Sequence, residues 1–241
     1  MKIDYSIVSS NETPLYKNFW ELTKLFWNKH IGIKPILCLI DDQEKIENSD
    51  DCIIHYIKKI PNIDSGFQAQ IARMYVTKYY SEQICLTSDI DMFPISKKYF
   101  LETTKPYSDD SIVIFSSDAY KNQSRYPICY NAAKGSFFYN LLDLNCSFNE
   151  YCERLLSFGF GWDTDELYFG NKIDTYHDQS KIIKLNRGWN YGIASNRIDR
   201  VFWNYDARRL EKEEYIDCHS LRPIELYKND INTLLNILNL K

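Results

Sequence analysis

The 241-residue sequence predicts one α/β domain with a mostly parallel central sheet flanked by helices. Short apolar runs alternate along the chain with amphipathic stretches, which is the pattern of βαβ units. The length suits a single α/β domain of roughly 200–250 residues, and the sequence contains neither an internal repeat nor a linker rich in Pro and Gly. Hydrophobic residues make up 44% and charged residues 26%, a balance typical of a globular protein.

The first half of the chain is predicted to alternate strands with helices. Four short apolar runs indicate strands, at Asp4–Ser9, Lys34–Ile40, Cys52–Ile57 and Gln83–Thr87. Large apolar residues recur at helical spacing in two segments between these runs, Leu15–Asn28 and Phe67–Tyr80. The first strand is expected to leave through the loop Ser9-Ser10-Asn11, and the second strand ends at Asp41.

The second half is predicted from shorter patterns. A strand is expected at Ser111–Ser116, and extended segments at Tyr126–Asn131 and Gly135–Tyr139, on either side of the short break Ala132-Ala133-Lys134. A helix is expected to follow over residues 140–157, and Gly159–Glu166 opens a further short helix. The tail carries three apolar or aromatic segments, Ile182–Leu185, Trp189–Tyr191 and Tyr215–Ser220.

Charge and cysteine content narrow the class of protein. A net charge of −4 argues against a general nucleic-acid binder, because neutralising phosphates requires a basic surface. Seven scattered cysteines without a CxxC pair argue against a disulfide framework or a thiolate zinc site. No run approaches the roughly 18 apolar residues of a membrane span, and Asp4 interrupts any signal-peptide core. We therefore expect a cytoplasmic protein with no transmembrane segment and no signal peptide.

The pair Asp89 and Asp91 follows the buried-looking run Ile84–Thr87. In open α/β sheets, ligand sites lie beyond the carboxyl ends of strands, and in an extended segment both carboxylates point to one side. Two such carboxylates favour a shared hard divalent cation, Mg²⁺ or Mn²⁺. The spacing alone carries little information, since Asp163-Thr164-Asp165 repeats it. The alternative is a capped turn ahead of Pro94.

Two later segments carry further candidate residues. His219 follows an apolar segment. Its imidazole is suited to complete the coordination of an ion held by the aspartates, and a purely structural role is the alternative. Gly161 and Trp162 precede the acidic residues Asp163, Asp165 and Glu166. An aromatic face stacks on a sugar ring, and a carboxylate can act as general base for an acceptor hydroxyl. An acidic first turn of a helix is the alternative, because the helix dipole favours it.

The remaining candidates are residues expected to border a nucleotide or an acceptor. Arg73, one turn after Gln70 on the predicted helix, is suited to brace the aspartates or a diphosphate. Arg222 is suited to reach a phosphate. Other candidate nucleotide-binding residues lie at strand ends or flank the aspartates: Ser9, Ser10, Asn11, Asp41, Ser88 and Ile90. Lys134 and Gly135 are expected to border the acceptor. Each of these residues is also an ordinary turn or surface residue.

Taken in this order, the motifs resemble the metal-dependent GT-A glycosyltransferases, which transfer a sugar from a nucleotide-diphosphate sugar. The resemblance implies a GT-A-like single domain with a Rossmann-like sheet, in which residues 1–95 bind the nucleotide sugar and residues 96–241 form the acceptor-binding half and the C-terminal tail. It implies that Asp89 and Asp91 coordinate Mn²⁺ or Mg²⁺, and that the ion grips the diphosphate. His219-Ser220 resembles the late metal-binding His of several branches.

Gly161-Trp162 and the acids after it are similar to the Trp-Gly-Gly-Glu-Asp segment of the inverting galactosyltransferase branch, in which an acidic residue deprotonates the acceptor. By register, Asp165 and Glu166 match the Glu-Asp pair in reversed order, and Asp163 and Thr164 replace two glycines. Retaining branches share the Asp-x-Asp pair and the late His. Both stereochemical outcomes therefore stay open.

The function that these residues predict is a hexosyltransferase-type glycosyltransferase, with a nucleotide-diphosphate sugar as donor and a glycan or glycoconjugate hydroxyl as acceptor. A sugar-phosphate nucleotidyltransferase is less well supported, because Ser9–Leu15 contains no glycine. A non-catalytic carbohydrate-binding protein on the same fold is a further alternative. An aspartate-nucleophile phosphatase ranks last, since its Asp-x-Asp pair usually lies near the N-terminus and Phe93 stands where such enzymes carry Thr or Val.

Overall fold

The computed structural model describes residues 1–42, 46–120, 123–190 and 193–240. In these ranges the strands are, in chain order, β1 (Tyr5–Asn11), β2 (Lys34–Ile40), β3 (Ile53–Ile57), β4 (Ile84–Thr87), β5 (Met92–Pro94), β6 (Ile112–Ile114), β7 (Asn131–Lys134), β8 (Ile182–Lys184), β9 (Trp189–Asn190), β10 (Ile193–Ala194), β11 (Arg197–Ile198) and β12 (Asp217–His219). The predicted segment Trp189–Tyr191 ends at residue 191, which lies outside the described residues.

The central sheet has seven strands in the order β3-β2-β1-β4-β7-β6-β8. All neighbours are parallel except at β7, which is antiparallel to both β4 and β6. A second sheet joins β11, β12 and β5, with β12 antiparallel to β5, and β9 pairs with β10. The predicted α/β class with a mostly parallel sheet is confirmed, and the chain forms a single domain.

Helices cover both faces of the central sheet. They are α1 (Pro14–Lys17), α2 (Trp20–Lys24), α3 (Ser65–Tyr75), α4 (Lys97–Glu102), α5 (Gly135–Leu141), α6 (Phe148–Leu156), α7 (Thr164–Asp174), α8 (Ala207–Glu211) and α9 (Lys228–Ile237). A π-helix spans Leu25–Ile31, and short 3₁₀ helices span Val76–Tyr79, Gly161–Asp163, Gln179–Lys181 and Ile224–Tyr227. Among the helices in the described ranges, none is both long and apolar enough to cross a bilayer.

Strand β2 explains why the core has two main layers. Its residues are buried on both faces, as expected for a central parallel strand that reads as a continuous apolar run. Ile36 and Ile40 point into a cluster that includes residues of α3, α5, α6 and α7. Leu37 and Leu39 point into the opposite cluster, which includes residues of α2, the π-helix and α9. The alternation of side chains along one strand thus divides the core.

For the first βα unit, the sequence predicted the correct types of secondary structure, but several of the predicted boundaries were wrong. Strand β2 has the predicted bounds, but β1 continues through Ser10 and Asn11, which the sequence suggested as an exit loop. Both residues pair with β2, and the pairing extends the strand. The single helix predicted over Leu15–Asn28 is instead α1, α2 and the π-helix, because the chain turns at Asn18 and the helix widens after Lys24.

The prediction for residues 126–139 was wrong. The supposed break Ala132-Ala133-Lys134 belongs to β7, and Gly135–Tyr139 is helical rather than extended. Ala132 and Ala133 are buried between β4 and β6. Phe137, Phe138 and Leu141 then bury one side of α5, at helical spacing. Aromatic residues favour strands only weakly, and burial against the sheet decided the helix.

Gly135 allows α5 to begin against the 3₁₀ helix that follows α3. A Cβ at this position would overlap the backbone carbonyl oxygens of Thr77 and Tyr80. We expect Gly135→Ala to lower the free energy of unfolding by about 2 kcal/mol, because backbone atoms cannot move aside as a flexible side chain can. Urea denaturation would measure the loss, with Ser136→Ala as the neighbouring control. Equal stability of the two variants would contradict the close packing.

Candidate active site

A cavity of about 330 Å³ opens beyond the carboxyl ends of β1 and β4. Parallel strands bring these ends to one edge of the sheet, where α/β proteins bind ligands. The wall contains most of the residues that the sequence singled out: Ser9, Ser10, Asn11, Gln70, Arg73, Asp89, Ile90, Asp91, Trp162, Asp165, Glu166, His219 and Arg222. The cavity is therefore the candidate active site.

The small second sheet brings His219 next to Asp91. Strand β5 begins at Met92, directly after the aspartates, and pairs with β12 in a register that sets His219 opposite Met92. The backbone N–H of Ser220 donates to the Asp91 carbonyl oxygen at 2.9 Å. The segment between β4 and β5 is a turn rather than extended, yet Asp89 and Asp91 both line the cavity.

Asp91 is buried in a cationic environment. Its Oδ2 accepts a hydrogen bond from Arg200 Nη1 at 2.8 Å and lies 3.6 Å from His219 Nε2 and 3.7 Å from Arg222 Nη1. Burial alone would raise the pKa of this carboxyl, but His219 and Arg200 outweigh it and hold the pKa well below its usual range. Asp91 is therefore a permanent anion at neutral pH.

His219 is held between two carboxylates. Its Nε2 faces Asp91, and its Nδ1 lies 3.5 Å from Asp199 Oδ2. Burial would lower the pKa of the imidazole, but Asp199 and Asp91 raise it above its ordinary value. A carboxylate on the second ring nitrogen is the usual way in which proteins orient a metal-binding His. The sequence analysis did not identify Asp199.

Arg73 links the aspartate turn to the acidic helix. From the last turn of α3, its Nη1 binds Asp89 and its Nη2 donates to Asp165 Oδ2 at 3.1 Å. Asp165 lies in the first turn of α7 and is fully buried. Burial raises its pKa to about 6, although the nearby guanidinium acts in the opposite direction. One guanidinium thus fixes carboxylates from two distant segments.

Glu166 is anchored by residues that the sequence analysis missed. Arg125 Nε donates to Glu166 Oε2 at 2.7 Å, and Arg125 Nη2 donates to Asp163 Oδ1 at 2.8 Å. Tyr120 donates its hydroxyl to Glu166 Oε1 at 3.2 Å, and the Arg125 guanidinium lies over the Tyr120 ring. Because Glu166 is held from two sides, its carboxylate is preorganised at the cavity wall.

The donor atoms at the aspartate turn are chemically suited to a divalent ion. Asp89 and Asp91 supply carboxylates, which Mg²⁺ and Mn²⁺ prefer, and His219 supplies an imidazole oriented by Asp199. Within the described ranges, no three His, Cys, Asp or Glu side chains are close enough together to hold a metal as they stand. Asp89 is instead engaged by Arg73.

Six predicted site residues lie outside the cavity wall. Asp163 binds Arg125, and Gly161 shapes the turn before α7. Asp41 pairs with Lys17 at 3.2 Å, and Ser88 is buried beneath the turn. Lys134 and Gly135, which were expected to border the acceptor, do not line this cavity. Because β7 is antiparallel to β4, Lys134 pairs with Ile84, at the opposite end of the sheet.

Other residues of the cavity wall were not anticipated. They are Tyr16, Gly66, Ala69, Tyr120, Arg125 and Arg200. Tyr16 lies on the first helix after β1, so the rule that ligands bind beyond strand ends could have identified it. Arg125 and Arg200 come from polar connecting segments that have no motif, and only the fold brings them to the cavity.

The strand that carries His219 is fixed by a buried ion cluster. Asp217 accepts two hydrogen bonds from Arg187, at 2.8 and 2.5 Å, and two from Arg197, both at 3.1 Å. All three side chains are almost completely buried. Burial would raise the pKa of Asp217, but the two guanidinium groups hold it well below its usual range.

Comparison with known proteins supports the GT-A fold. A structure of the galactosyltransferase LgtC in complex with donor and acceptor sugar analogs aligns with 98% of this chain and 95% of its own, at 8% identity and a TM-score of 0.51. An active-site mutant of LgtC aligns over 95% of each chain, at 8% identity and a TM-score of 0.52. No family model and no curated protein matches the sequence. The chain has the mixed α/β fold of these glycosyltransferases.

Because of the buried ion cluster, removing the Asp217 carboxylate should strongly lower the stability of the fold. We expect Asp217→Asn to lower the free energy of unfolding by about 3–5 kcal/mol, because two buried guanidinium groups lose their counter-ion. The matched control is Glu102→Gln, which breaks the exposed pair with Lys105 and should cost less than about 1 kcal/mol. Urea denaturation would measure both. A decrease in the free energy of unfolding for Asp217→Asn as small as that of the control would contradict a stabilising role of the cluster.

The raised pKa of Asp165, about 6, predicts a dependence of stability on pH. The unfolded carboxyl has a pKa of about 3.9, so between these values the folded state binds more protons than the unfolded state. The free energy of unfolding should therefore fall as pH rises from about 4 to about 6, by on the order of 2 kcal/mol. Asp165→Asn removes this slope, and urea denaturation across the pH series compares the two proteins. Parallel pH profiles would contradict the assignment.

Proposed function

We propose that this chain is a metal-dependent glycosyltransferase, which moves a sugar from a nucleotide-diphosphate donor to a hydroxyl of a glycan or glycoconjugate. The observation that carries the proposal is the convergence of Asp89, Asp91 and His219 on one cavity at the carboxyl edge of the sheet. The fold adds support, because its solved neighbours named above are glycosyltransferases.

The cationic side chains suit a donor with a diphosphate. Arg73, Arg200 and Arg222 reach the cavity from three different segments and surround the aspartates. Guanidinium groups bind phosphate oxygens with two hydrogen bonds each, so an anionic donor can compete for the contacts that they now make with carboxylates. We assign these arginines to the diphosphate.

The end of β1 suits the nucleoside. Ser9, Ser10 and Asn11 line the cavity next to Tyr16. Arg222 Nη1 donates to the Tyr16 hydroxyl at 2.5 Å, and the guanidinium lies 5.2 Å from the ring centroid. These contacts hold the Tyr16 ring in place, so that one aromatic face and several polar groups meet at this corner. We assign this corner to the base and ribose, with Gln70 towards the sugar.

Asp89, Asp91 and His219 are the residues that would hold Mn²⁺ or Mg²⁺. The bound ion would offset the negative charge that develops on the leaving diphosphate. Asp199 orients the His219 ring through Nδ1, which leaves Nε2 directed at Asp91. Arg73 is also bound by Asp165, which would hold the guanidinium in place if Asp89 turned to an ion.

The acceptor side is formed by α7 and the segment before it. Trp162 lines the cavity and is largely exposed, and Glu166 presents a carboxylate fixed by Arg125 and Tyr120. In the proposal these groups stack on a sugar ring and bind its hydroxyls. Glu166 is the better placed general base in an inverting reaction, because Asp165 is buried beneath Arg73.

A thermal-shift series tests the donor and the metal together. UDP, GDP, CDP and their sugars are each added with and without Mn²⁺, and the melting temperature should rise only for the matching nucleotide with metal. Asp89→Asn and Asp91→Asn should abolish the metal-dependent part of the shift and lower donor turnover at least about a hundredfold.

The matched control is Asp110→Asn, which removes an exposed carboxylate far from the aspartates. It should behave like the unmodified protein. Unchanged turnover and unchanged metal dependence in the Asp89 and Asp91 variants would refute the proposal. Release of pyrophosphate from a nucleoside triphosphate and a sugar phosphate would instead establish a nucleotidyltransferase.

A further inference from the structure

Three aromatic rings are exposed beside the cavity. They belong to the segment Phe158-Gly159-Phe160-Gly161-Trp162, in which aromatic residues alternate with glycines, and we call these rings the aromatic platform. The exposed fractions are 45% for Phe158, 48% for Phe160 and 66% for Trp162. Neighbouring exposed aromatic rings of this kind are typical of a surface that binds a ligand or a partner.

The two glycines give the platform its shape. Gly159 has φ +68° and Gly161 has φ +61°, which residues with a side chain rarely adopt. A Cβ at either glycine would meet no atom within 4 Å, so neither is needed to make room for a neighbour. They are needed for the backbone path, which turns so that the flanking rings stay at the surface.

The platform is held firmly to the helices that carry the site. The Phe158 and Phe160 rings are nearly parallel, with centroids 5.9 Å apart, and Phe158 also packs against Tyr168 of α7 at 5.6 Å. Gln70 Nε2, from α3, donates to the Trp162 carbonyl oxygen at 2.7 Å. The rings are therefore exposed although their backbone is anchored, which is the arrangement of a preformed binding surface.

We propose that the aromatic platform binds the second and later sugar units of an oligosaccharide acceptor, while the terminal unit enters the cavity beside Trp162. This inference rests on the proposed function and specifies its acceptor: a glycan chain rather than a free monosaccharide or a single amino-acid side chain. Trp162 belongs both to the cavity wall and to the platform, so the two surfaces are continuous.

The chemistry of the platform matches such a chain. A pyranose has an apolar face of C–H groups and a rim of hydroxyls, so it can cover an aromatic ring while its hydroxyls stay in water or bind a neighbouring carboxylate. Asp163, whose side chain is partly exposed, lies next to Trp162 and can accept hydroxyl hydrogen bonds. Alternating rings along the segment offer one apolar surface after another to successive sugar units.

Glycan binding without nucleotide or metal tests the inference. An array of neutral and acidic oligosaccharides identifies the best ligand, and calorimetry then compares its mono-, di- and trisaccharide fragments. The trisaccharide should bind at least about tenfold more tightly than the monosaccharide. In Phe160→Ala and in the double variant Phe158→Ala/Phe160→Ala, the affinity should no longer increase with the length of the glycan.

The choice of variants keeps the test specific. Phe160→Ala is informative even if Phe158→Ala loosens α7, because Phe158 is the platform ring that packs against Tyr168 of α7, whereas Phe160 stacks on Phe158. Tyr79→Ala removes a ring whose exposure, 59%, lies within the range of the platform rings, and Tyr79 lies outside the cavity wall. Tyr79→Ala should keep the full gain with chain length.

Several outcomes would overturn the inference. The inference is wrong if no glycan binds the unmodified protein, or if the affinity does not depend on the length of the glycan. It is also wrong if the affinity still increases with glycan length in both platform variants. A loss of self-association in Phe160→Ala, measured by sedimentation velocity with glycan binding unchanged, would assign the platform to contacts between copies. Nucleotide and Mn²⁺ binding without glycan binding would remove this inference and keep the proposed function. Platform-dependent glycan binding without nucleotide binding would refute the proposed function, and the platform would then be a glycan-binding surface rather than an acceptor subsite.

Discussion

The candidate site depends on the antiparallel pairing of β12 with β5. This pairing sets His219 opposite Met92 and so brings the imidazole to Asp91, although the two segments are far apart in the chain. A shift by one residue would turn His219 to the other face of its strand. The buried cluster around Asp217 opposes such a shift, since it ties β12 to Arg187 and Arg197 by four hydrogen bonds.

The second feature of the site is its balance of charge. Among the residues that the structure describes, the cavity wall contains four arginines and four carboxylates, and most of them pair with one another. In each pair, two buried or half-buried charges neutralise each other in the absence of a ligand. An anionic donor and a cation could replace these contacts together, because the donor takes the arginines and the cation takes the carboxylates. Such an exchange would couple the binding of the two.

Sequence patterns predicted the elements whose burial follows from local composition. Strand β2 was predicted to the residue, because a run of six apolar residues after Lys34, with apolar side chains on both faces, has few other conformations in an α/β protein. Predictions failed where packing outweighed composition. The aromatic residues of α5 suggested a strand, and the single helix predicted over Leu15–Asn28 is divided into α1, which packs on β1, and α2 and the π-helix, which pack on β2 and β5.

The sequence by itself determined the fold class, the strand that ends at the aspartates and most of the polar residues of the cavity wall. These follow from hydrophobic periodicity and from the rule that ligands bind at the carboxyl ends of parallel strands. Only the tertiary structure decided that Arg125, Arg200 and Asp199 reach the site and that Lys134 does not. The reason is that loop positions and the direction of one strand depend on contacts between distant segments, which periodicity does not encode.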